Sequence, residues 1–218
     1  MSKKFFRAFV LTLCLSLVVP FFNTINVFAA TEPQIMGQSA ITMDLDTGEI
    51  IYSKNADEQR SPASTTKLLT SLLFAENKNK DDLIPYTENS VSLRETTLNN
   101  FIGNTAQPGD TLTANEVMDA VMVYSANDAA VMMAESVSGS VEKFTELMNQ
   151  RAKELGGVNT NFVNPNGLEI DANNHNVTTA YDLALIAKAA YENDWVRESM
   201  GIDKTYVILD GKTTYMED

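Results

Sequence analysis

Residues 68–74 (LLTSLLF) form an apolar run that directly follows the polar stretch at residues 61–67 (SPASTTK). Ser61 is suited to capping the free amides of a helix, and Pro62 suits the first helical position. Neither Gly nor Pro interrupts the fifteen residues after Pro62. The sequence therefore predicts a helix from Pro62 to about Asn77, and the other elements have to pack around its apolar side chains.

Ser64 and Lys67 lie three positions apart at the start of this predicted helix. Residues with that spacing have Cβ atoms about 5 to 6 Å apart, so the lysine amine can reach the serine hydroxyl. A serine nucleophile needs such a base, and the N-terminal end of a helix favours the negative charge that develops. The spacing alone is weak, because Ser140 and Lys143 repeat it at another predicted helix start, where Ser140 is interpreted as an ordinary cap.

The first 29 residues predict a secretory signal peptide. Three cations lie within the first seven residues, an apolar run follows at residues 9–22, and small residues precede a cleavage site after Ala29. The alternative is an uncleaved membrane anchor, but the apolar run is shorter than the roughly 20 residues that a spanning helix needs. We expect cleavage and export.

Charge and composition exclude several classes of function. Cleavage would remove three cations and no acid, so the formal net charge would go from −13 to −16. Such a surface repels nucleic acid and anionic membranes, which favours a soluble exported protein. The only cysteine, Cys14, would leave with the signal peptide, and His175 is the only histidine. We therefore expect no disulfide, metal site, cofactor or histidine-based triad, and catalysis must use Ser, Lys, Asp, Glu, Tyr or Asn.

The order of predicted elements indicates an α+β fold. Residues 40–54 predict a hairpin, residues 78–111 predict loops and short strands, and residues 205–209 predict a strand. Further helices are predicted to begin at Thr113, Asp128, Ser140 and Thr179. A hairpin followed by several helices and then by a late strand is typical of a fold in which the helices pack on an antiparallel sheet.

A second polar motif stands between two predicted helices, 61 residues after Ser64. It consists of Ser125 and Asn127 with Ala126 between them. Alone it carries little information, since residues 53–55 (SKN) have the same form in the predicted hairpin. In combination, a Ser-x-x-Lys helix start followed by a Ser-x-Asn bend is the order found in penicillin-recognising serine enzymes.

The sequence around both motifs resembles the serine-type D-Ala-D-Ala carboxypeptidases, the low-molecular-mass penicillin-binding proteins of the peptidase S11 family. Five blocks within about residues 38–210 carry the resemblance, namely MDLDTG at 43–48, PASTTK at 62–67, YSANDAA at 124–130, NPNGL at 164–168 and TTAYDLA at 178–184. The resemblance implies a β-lactamase/DD-peptidase-like fold. It also implies an exported cell-wall enzyme that removes the terminal D-alanine from peptidoglycan pentapeptide stems and that β-lactam antibiotics inhibit covalently.

The resemblance also assigns roles to four residues. Ser64 would be the acylated nucleophile and Lys67 the base that takes its proton, while Ser125 and Asn127 would complete the proton relay and hold the substrate amide. A free lysine has a pKa of about 10.4, so Lys67 can act as a base only if burial or a nearby cation lowers that value.

Other polar residues have structural interpretations. Asp182 is expected to cap a helix, His175 to lie in a polar surface loop, and Asp44 and Asp46 to shape the hairpin turn.

The family's third motif, Lys-Thr-Gly, is not found. Residues 212–214 (KTT) lack the glycine, follow a predicted turn at Asp210 and Gly211, and come too early in the chain. We therefore expect residues 30–218 to be an N-terminal part of the catalytic domain, without its last strands and without the C-terminal helix by which full-length relatives attach to the membrane. Loss of one oxyanion donor costs about 100- to 1,000-fold in rate, so we expect low activity.

Two alternatives to the carboxypeptidase stay open at this point. One is a β-lactamase, although the sequence lacks the Glu-x-x-Leu-Asn signature of one major class of these enzymes. The other is a non-catalytic protein that binds penicillin or the cell wall.

Overall fold

The computed structural model describes residues 33–169, 171 and 174–217. The predicted signal peptide lies outside the described residues. Residues 33–36 belong to a separate N-terminal unit, and in it they are exposed and have no regular secondary structure. All elements described below belong to the second unit, Gly37–Asp218.

This second unit combines helices with short antiparallel strand pairs. The strands are β1 (Ala40–Met43), β2 (Ile50–Lys54), β3 (Leu83–Pro85), β4 (Thr111–Thr113), β5 (Lys204–Leu209) and β6 (Lys212–Glu217). The helices are α1 (Lys67–Asn77), α2 (Glu88–Ser92), α3 (Leu98–Phe101), α4 (Ala114–Tyr124), α5 (Asn127–Ser138), α6 (Val141–Glu154), α7 (Ala180–Glu192) and α8 (Asp194–Met200). A 3₁₀ helix at Ala63–Thr66 leads directly into α1. The predicted α+β class is confirmed.

Strand β1 pairs with β2, β3 pairs with β4 and β5 pairs with β6, and each pair is a two-stranded sheet among the described residues. The β1–β2 hairpin packs against α7, and β5–β6 packs against α4. The turn predicted at Asp210 and Gly211 is confirmed, since it joins β5 to β6. Lys212 and Thr213 therefore open strand β6 and pair with Leu209 and Ile208.

Local capping signals located most helix starts correctly. Helix α4 begins at a capping box in which Thr113 Oγ1 accepts from the Glu116 amide (3.2 Å) and the Glu116 carboxylate accepts from the Thr113 amide (2.8 Å). Ser140 caps α6 and Thr179 caps α7, each accepting from the amide three residues further on. Helix α5 begins at Asn127, one residue earlier than predicted.

The predicted start of the first helix is wrong. Pro62 precedes a 3₁₀ helix that has no side-chain cap, and the α-helix begins only at Lys67. Ala63, whose φ of +46° lies in the left-handed region, cannot continue a regular right-handed α-helix from Pro62. The predicted end at Asn77 is confirmed.

Two short helices in residues 78–111 were not predicted. Thr87 caps α2 and Thr97 caps α3 through bonds from the amides of Ser90 and Asn100. A helix of one turn is too short to display an apolar periodicity, which explains why the sequence indicated only loops and strands there. The short strands β3 and β4 in this region agree with the prediction.

Helix α1 forms the centre of the core. Leu69 and Phe74 are fully buried, and α1 contacts α4, α5, α6, α7 and α8. Met118, Met132 and Met133 are also fully buried, so these methionines serve packing. Because α1 is surrounded on several sides, its first residue, which is a lysine, has a fixed position. Within the described ranges, no helix combines the length and apolar character needed to cross a bilayer.

Candidate active site

The 3₁₀ helix brings Ser64 and Lys67 together. Side chains three residues apart are eclipsed in a 3₁₀ turn, so they lie closer than on an α-helix. Lys67 Nζ lies 3.1 Å from Ser64 Oγ, which is hydrogen-bonding distance. The pair therefore shares one face, although the turn that carries it is tighter than the sequence predicted.

The two side chains differ in their access to solvent. Ser64 is exposed, whereas only 3 % of Lys67 is accessible. A ligand can reach the hydroxyl from outside, while the amine approaches it from the protein interior. This arrangement is suited to a nucleophile with a protected base behind it.

Burial changes the acid–base behaviour of Lys67. It lowers the pKa of the Lys67 ammonium from 10.5 to about 8. Among the described residues, no carboxylate lies within ion-pairing distance of Nζ, which instead donates to the Asn166 carbonyl oxygen at 2.7 Å. With a pKa of about 8, roughly a tenth of the amine is neutral at pH 7, compared with less than about one in a thousand for an ordinary lysine.

Ser125 belongs to the same cavity as the pair. It ends α4 in a left-handed conformation (φ 59°, ψ 33°), which interrupts the chain before α5 begins. Ser64, Lys67 and Ser125 line a cavity of about 260 Å³. Its other lining residues are Thr65, Leu68, Val121 and Met122. The helix interruption thus directs a second hydroxyl to the cavity of the first.

Asn127 is held differently from the other three predicted site residues. It is not among the residues that line the cavity, and only 4 % of it is accessible. Its Nδ2 donates to the Glu95 carbonyl (2.7 Å), and its amide donates to the Thr96 carbonyl (2.9 Å). Within the described part of the chain, its buried Oδ1 has no hydrogen-bond partner. A buried acceptor without a hydrogen-bond partner destabilises a protein by about 1 to 3 kcal/mol, so a hydrogen bond from a donor that reached Oδ1 would be favoured by about that amount.

The loop at residues 164–167 closes the other side of the site. Besides the bond from Lys67 to Asn166, Thr70 Oγ1 donates to the Pro165 carbonyl (2.7 Å). Gly167, with φ of +86°, lies so close that a Cβ there would be 1.8 Å from the Ala63 carbonyl oxygen. The loop therefore rests on the backbone next to the serine. Nothing in the sequence indicated the contact with Lys67, because that contact involves a backbone carbonyl.

The remaining polar residues have structural roles. Asp182, 1 % accessible, does not cap its helix as expected, because Thr179 does so. Instead it accepts from the Asn159 amide (2.7 Å) and the Thr160 hydroxyl (2.8 Å), so it fixes the preceding loop. Asp44 accepts from the Thr47 amide and hydroxyl, which confirms that it shapes the hairpin turn.

Two other predictions concern residues outside the site. His175 is half-buried in the segment before Asn176. Ser140 accepts from the Lys143 amide at 3.3 Å, and Lys143 is exposed, so the second Ser-x-x-Lys is an ordinary helix cap as interpreted. No group of His, Cys, Asp and Glu side chains able to hold a metal ion occurs among the described residues.

Comparison with known proteins identifies the family. The sequence profile described as D-alanyl-D-alanine carboxypeptidase, peptidase S11, matches residues 26–217. The chain belongs to this family. Relatives in it include D-alanyl-D-alanine carboxypeptidase DacF of Bacillus subtilis, 35 % identical over 175 residues, which are 78 % of this chain and 43 % of that protein. The D-alanyl-D-alanine endopeptidase of Escherichia coli is 32 % identical over 194 residues, covering 85 % of this chain and 60 % of that protein.

Solved structures confirm the predicted DD-peptidase-like fold. The D-alanyl-D-alanine carboxypeptidase DacD from Francisella tularensis superimposes with a TM-score of 0.71 at 31 % identity, over 86 % of this chain and 46 % of that one. A mutant of the Streptomyces K15 DD-transpeptidase gives 0.73 at 25 % identity, over 86 % and 75 %. The chain spans about two fifths to three fifths of the length of the curated relatives it matches.

The contact between Gly167 and Ala63 generates a prediction about stability. Gly167→Ala should lower the free energy of unfolding by at least about 2 kcal/mol more than Gly109→Ala, measured by urea unfolding. Both glycines have positive φ, +86° and +97°, so both substitutions strain the backbone. Only at Gly167 would the new methyl group overlap a carbonyl, because nothing lies within 4 Å at Gly109. Equal effects of the two substitutions would contradict the close packing described.

Proposed function

We propose that this chain is a serine D-Ala-D-Ala carboxypeptidase that acts on peptidoglycan pentapeptide stems through an acyl-serine intermediate. The observation that carries the proposal is the 3.1 Å approach of Lys67 Nζ to Ser64 Oγ, in a chain of the D-alanyl-D-alanine carboxypeptidase family. The lowered pKa of Lys67, about 8, supports its role as base.

In the proposed acylation step, neutral Lys67 takes the proton from Ser64 Oγ, which forms a bond to the carbonyl carbon of the penultimate D-alanine. The C–N bond to the terminal D-alanine then breaks, and its nitrogen receives the proton through Lys67 and Ser125. The negative charge that develops on the carbonyl oxygen lies near the N-terminal end of the 3₁₀ helix and α1, which favours it. Water then hydrolyses the serine ester, releasing the shortened peptide and restoring Ser64.

Asn127 is proposed to hold the substrate amide. Its buried Oδ1 is an acceptor without a partner in the described part of the chain, so an N–H of the peptide would satisfy it if substrate binding exposed it. The bond from Nδ2 to the Glu95 carbonyl fixes the orientation of the amide group, with Oδ1 buried in the structure.

We also propose that the protein works outside the cytoplasmic membrane, where peptidoglycan is found. The basic and apolar pattern of residues 1–29 supports export, after which residues 30–218 would act as part of the catalytic domain. The strongly negative formal charge argues against nucleic acid as a partner. β-Lactam antibiotics, which mimic the D-Ala-D-Ala end, are the expected covalent inhibitors.

Labelling with a fluorescent penicillin tests the proposal. The full chain should acquire a lasting label, and Ser64→Ala should acquire none, whereas Ser140→Ala, which removes the serine of the second Ser-x-x-Lys, should label like the wild type. Rapid loss of the label would instead indicate a β-lactamase. No label on protein whose folding has been verified by circular dichroism would contradict the proposal and leave a non-catalytic wall-binding protein.

The pKa of Lys67 predicts the pH dependence of this labelling. Only the neutral amine can accept the serine proton, so the initial rate should rise with pH and level off above about 8. At pH 6 the rate should be about a tenth of that at pH 7, because the neutral fraction changes tenfold per pH unit below the pKa. A rate that is flat from pH 6 to 9 would show that no group with this pKa controls acylation.

A further inference from the structure

Asn176 is a buried polar residue to which no function has been assigned above. Only 1 % of it is accessible, and its side chain makes hydrogen bonds in two directions. Oδ1 accepts from the amides of Val163 (2.7 Å) and Asn164 (3.1 Å). Nδ2 donates to Thr66 Oγ1 and to the Asn164 carbonyl, both at 3.0 Å, with Asn164 Oδ1 at 3.3 Å. Asn176 thus joins the 3₁₀ helix that carries Ser64 to residues 163 and 164, where the loop at residues 164–167 begins.

Asn164 continues this connection into the loop. Its Oδ1 accepts from the amides of Gly167 (2.7 Å) and Asn166 (3.3 Å), and its Nδ2 donates to the Leu168 carbonyl (2.7 Å). These bonds close the loop around the Asn164 side chain. The orientation of the peptide between residues 166 and 167, including the Asn166 carbonyl, therefore follows from two asparagine side chains acting in series.

The Asn166 carbonyl is the group that orients the Lys67 amine. A lysine side chain has four χ torsions, and its amine also rotates about the Cε–Nζ bond, so proximity to Ser64 alone does not aim its lone pair. When one N–H of the neutral amine is held by the Asn166 carbonyl at 2.7 Å, the range of directions left to the lone pair narrows. With its lone pair directed towards Ser64 Oγ, which is 3.1 Å away, the neutral Lys67 amine can accept the serine proton.

Secondary structure alone cannot hold this carbonyl in place. Residues 163–168 contain no helix or strand, and apart from the Thr70 bond to Pro165 the polar contacts described for this loop involve side chains of asparagine and lysine. Each such bond contributes about 0.5 to 1.5 kcal/mol, and removing Asn176 would leave the half-buried amide of Val163 and the buried amide of Asn164 without their acceptor. The loop would then shift relative to α1.

We propose that Asn176 is a positioning residue for the serine–lysine pair, because its side chain fixes the loop whose Asn166 carbonyl aims the Lys67 amine at Ser64. This inference rests on the proposed function. It assigns Asn176 no contact with substrate, so substitution should lower the rate of acylation and leave the affinity for the penicillin nearly unchanged.

Asn149 offers a matched control for the test. Its side chain also bonds the backbone of a neighbouring residue, since Nδ2 donates to the Phe162 carbonyl (2.8 Å) and Oδ1 accepts from the Phe162 amide (2.7 Å). It touches neither Asn164 nor the 3₁₀ helix in the contacts described. Asn149→Ala therefore removes comparable hydrogen bonds from the same region without reaching Lys67.

The experiment measures penicillin acylation of the full chain by stopped flow over pH 6 to 10.5. For Asn176→Ala we expect the acylation rate constant at saturating penicillin to fall about 100-fold at pH 7. We expect the half-saturating concentration to change less than about threefold, and the pH midpoint to move up towards that of a free lysine. Asn149→Ala should keep the wild-type midpoint and a rate constant within about threefold of the wild type.

Failure of the inference is distinct from failure of the proposed function. If the wild type is not acylated at all, the proposed function fails. If the wild type is acylated and Asn176→Ala matches Asn149→Ala in rate constant and pH midpoint, the positioning role is refuted. Should Asn176→Ala not fold, Asn176→Ser, whose single hydroxyl cannot bond both Thr66 Oγ1 and the amides of Val163 and Asn164, is compared with Asn149→Ala in the same way.

Discussion

The site depends on one buried amine. Lys67 Nζ has lost nearly all its water, donates to the Asn166 carbonyl at 2.7 Å and lies 3.1 Å from Ser64 Oγ. Burying an ammonium is unfavourable unless an anion compensates it, and no described carboxylate does so, which is why the pKa falls to about 8. The core around α1 stabilises this arrangement, since a lysine at the first position of a central helix cannot move to solvent.

Three separate parts of the chain converge on that amine. The 3₁₀ helix supplies the serine, the interruption between α4 and α5 supplies a second hydroxyl, and the loop at residues 164–167 supplies a backbone carbonyl. Each part has an unusual backbone conformation, with positive φ at Ala63, Ser125 and Gly167. Strained or left-handed residues at such points commonly direct functional groups, and here packing against the helical core holds them in place.

Local signals were predictable from the sequence, whereas long-range contacts were not. Thr113 and Ser140 start helices by accepting from amides three residues further on, so the local sequence was sufficient to predict both helix starts. The start near Pro62 was predicted wrongly because the positive φ of Ala63, which lies against Gly167 about a hundred residues further along, has no signal in the local sequence. The contacts of Asn176 with two distant segments likewise leave no periodic or capping signal. The candidate serines and lysine were found from the order of their motifs and a family resemblance, while the groups that hold them became visible only in the folded chain.

Direct titration of Lys67 tests the central claim. The protein is labelled with ¹³C-lysine, the Cε resonance of Lys67 is assigned by its absence in Lys67→Met, and its chemical shift is followed by NMR from pH 6 to 11.5. A midpoint near 8 for Lys67 is the predicted result. A midpoint above 10 for Lys67 itself would mean that the amine stays charged at neutral pH, and it could not then serve as the base for Ser64.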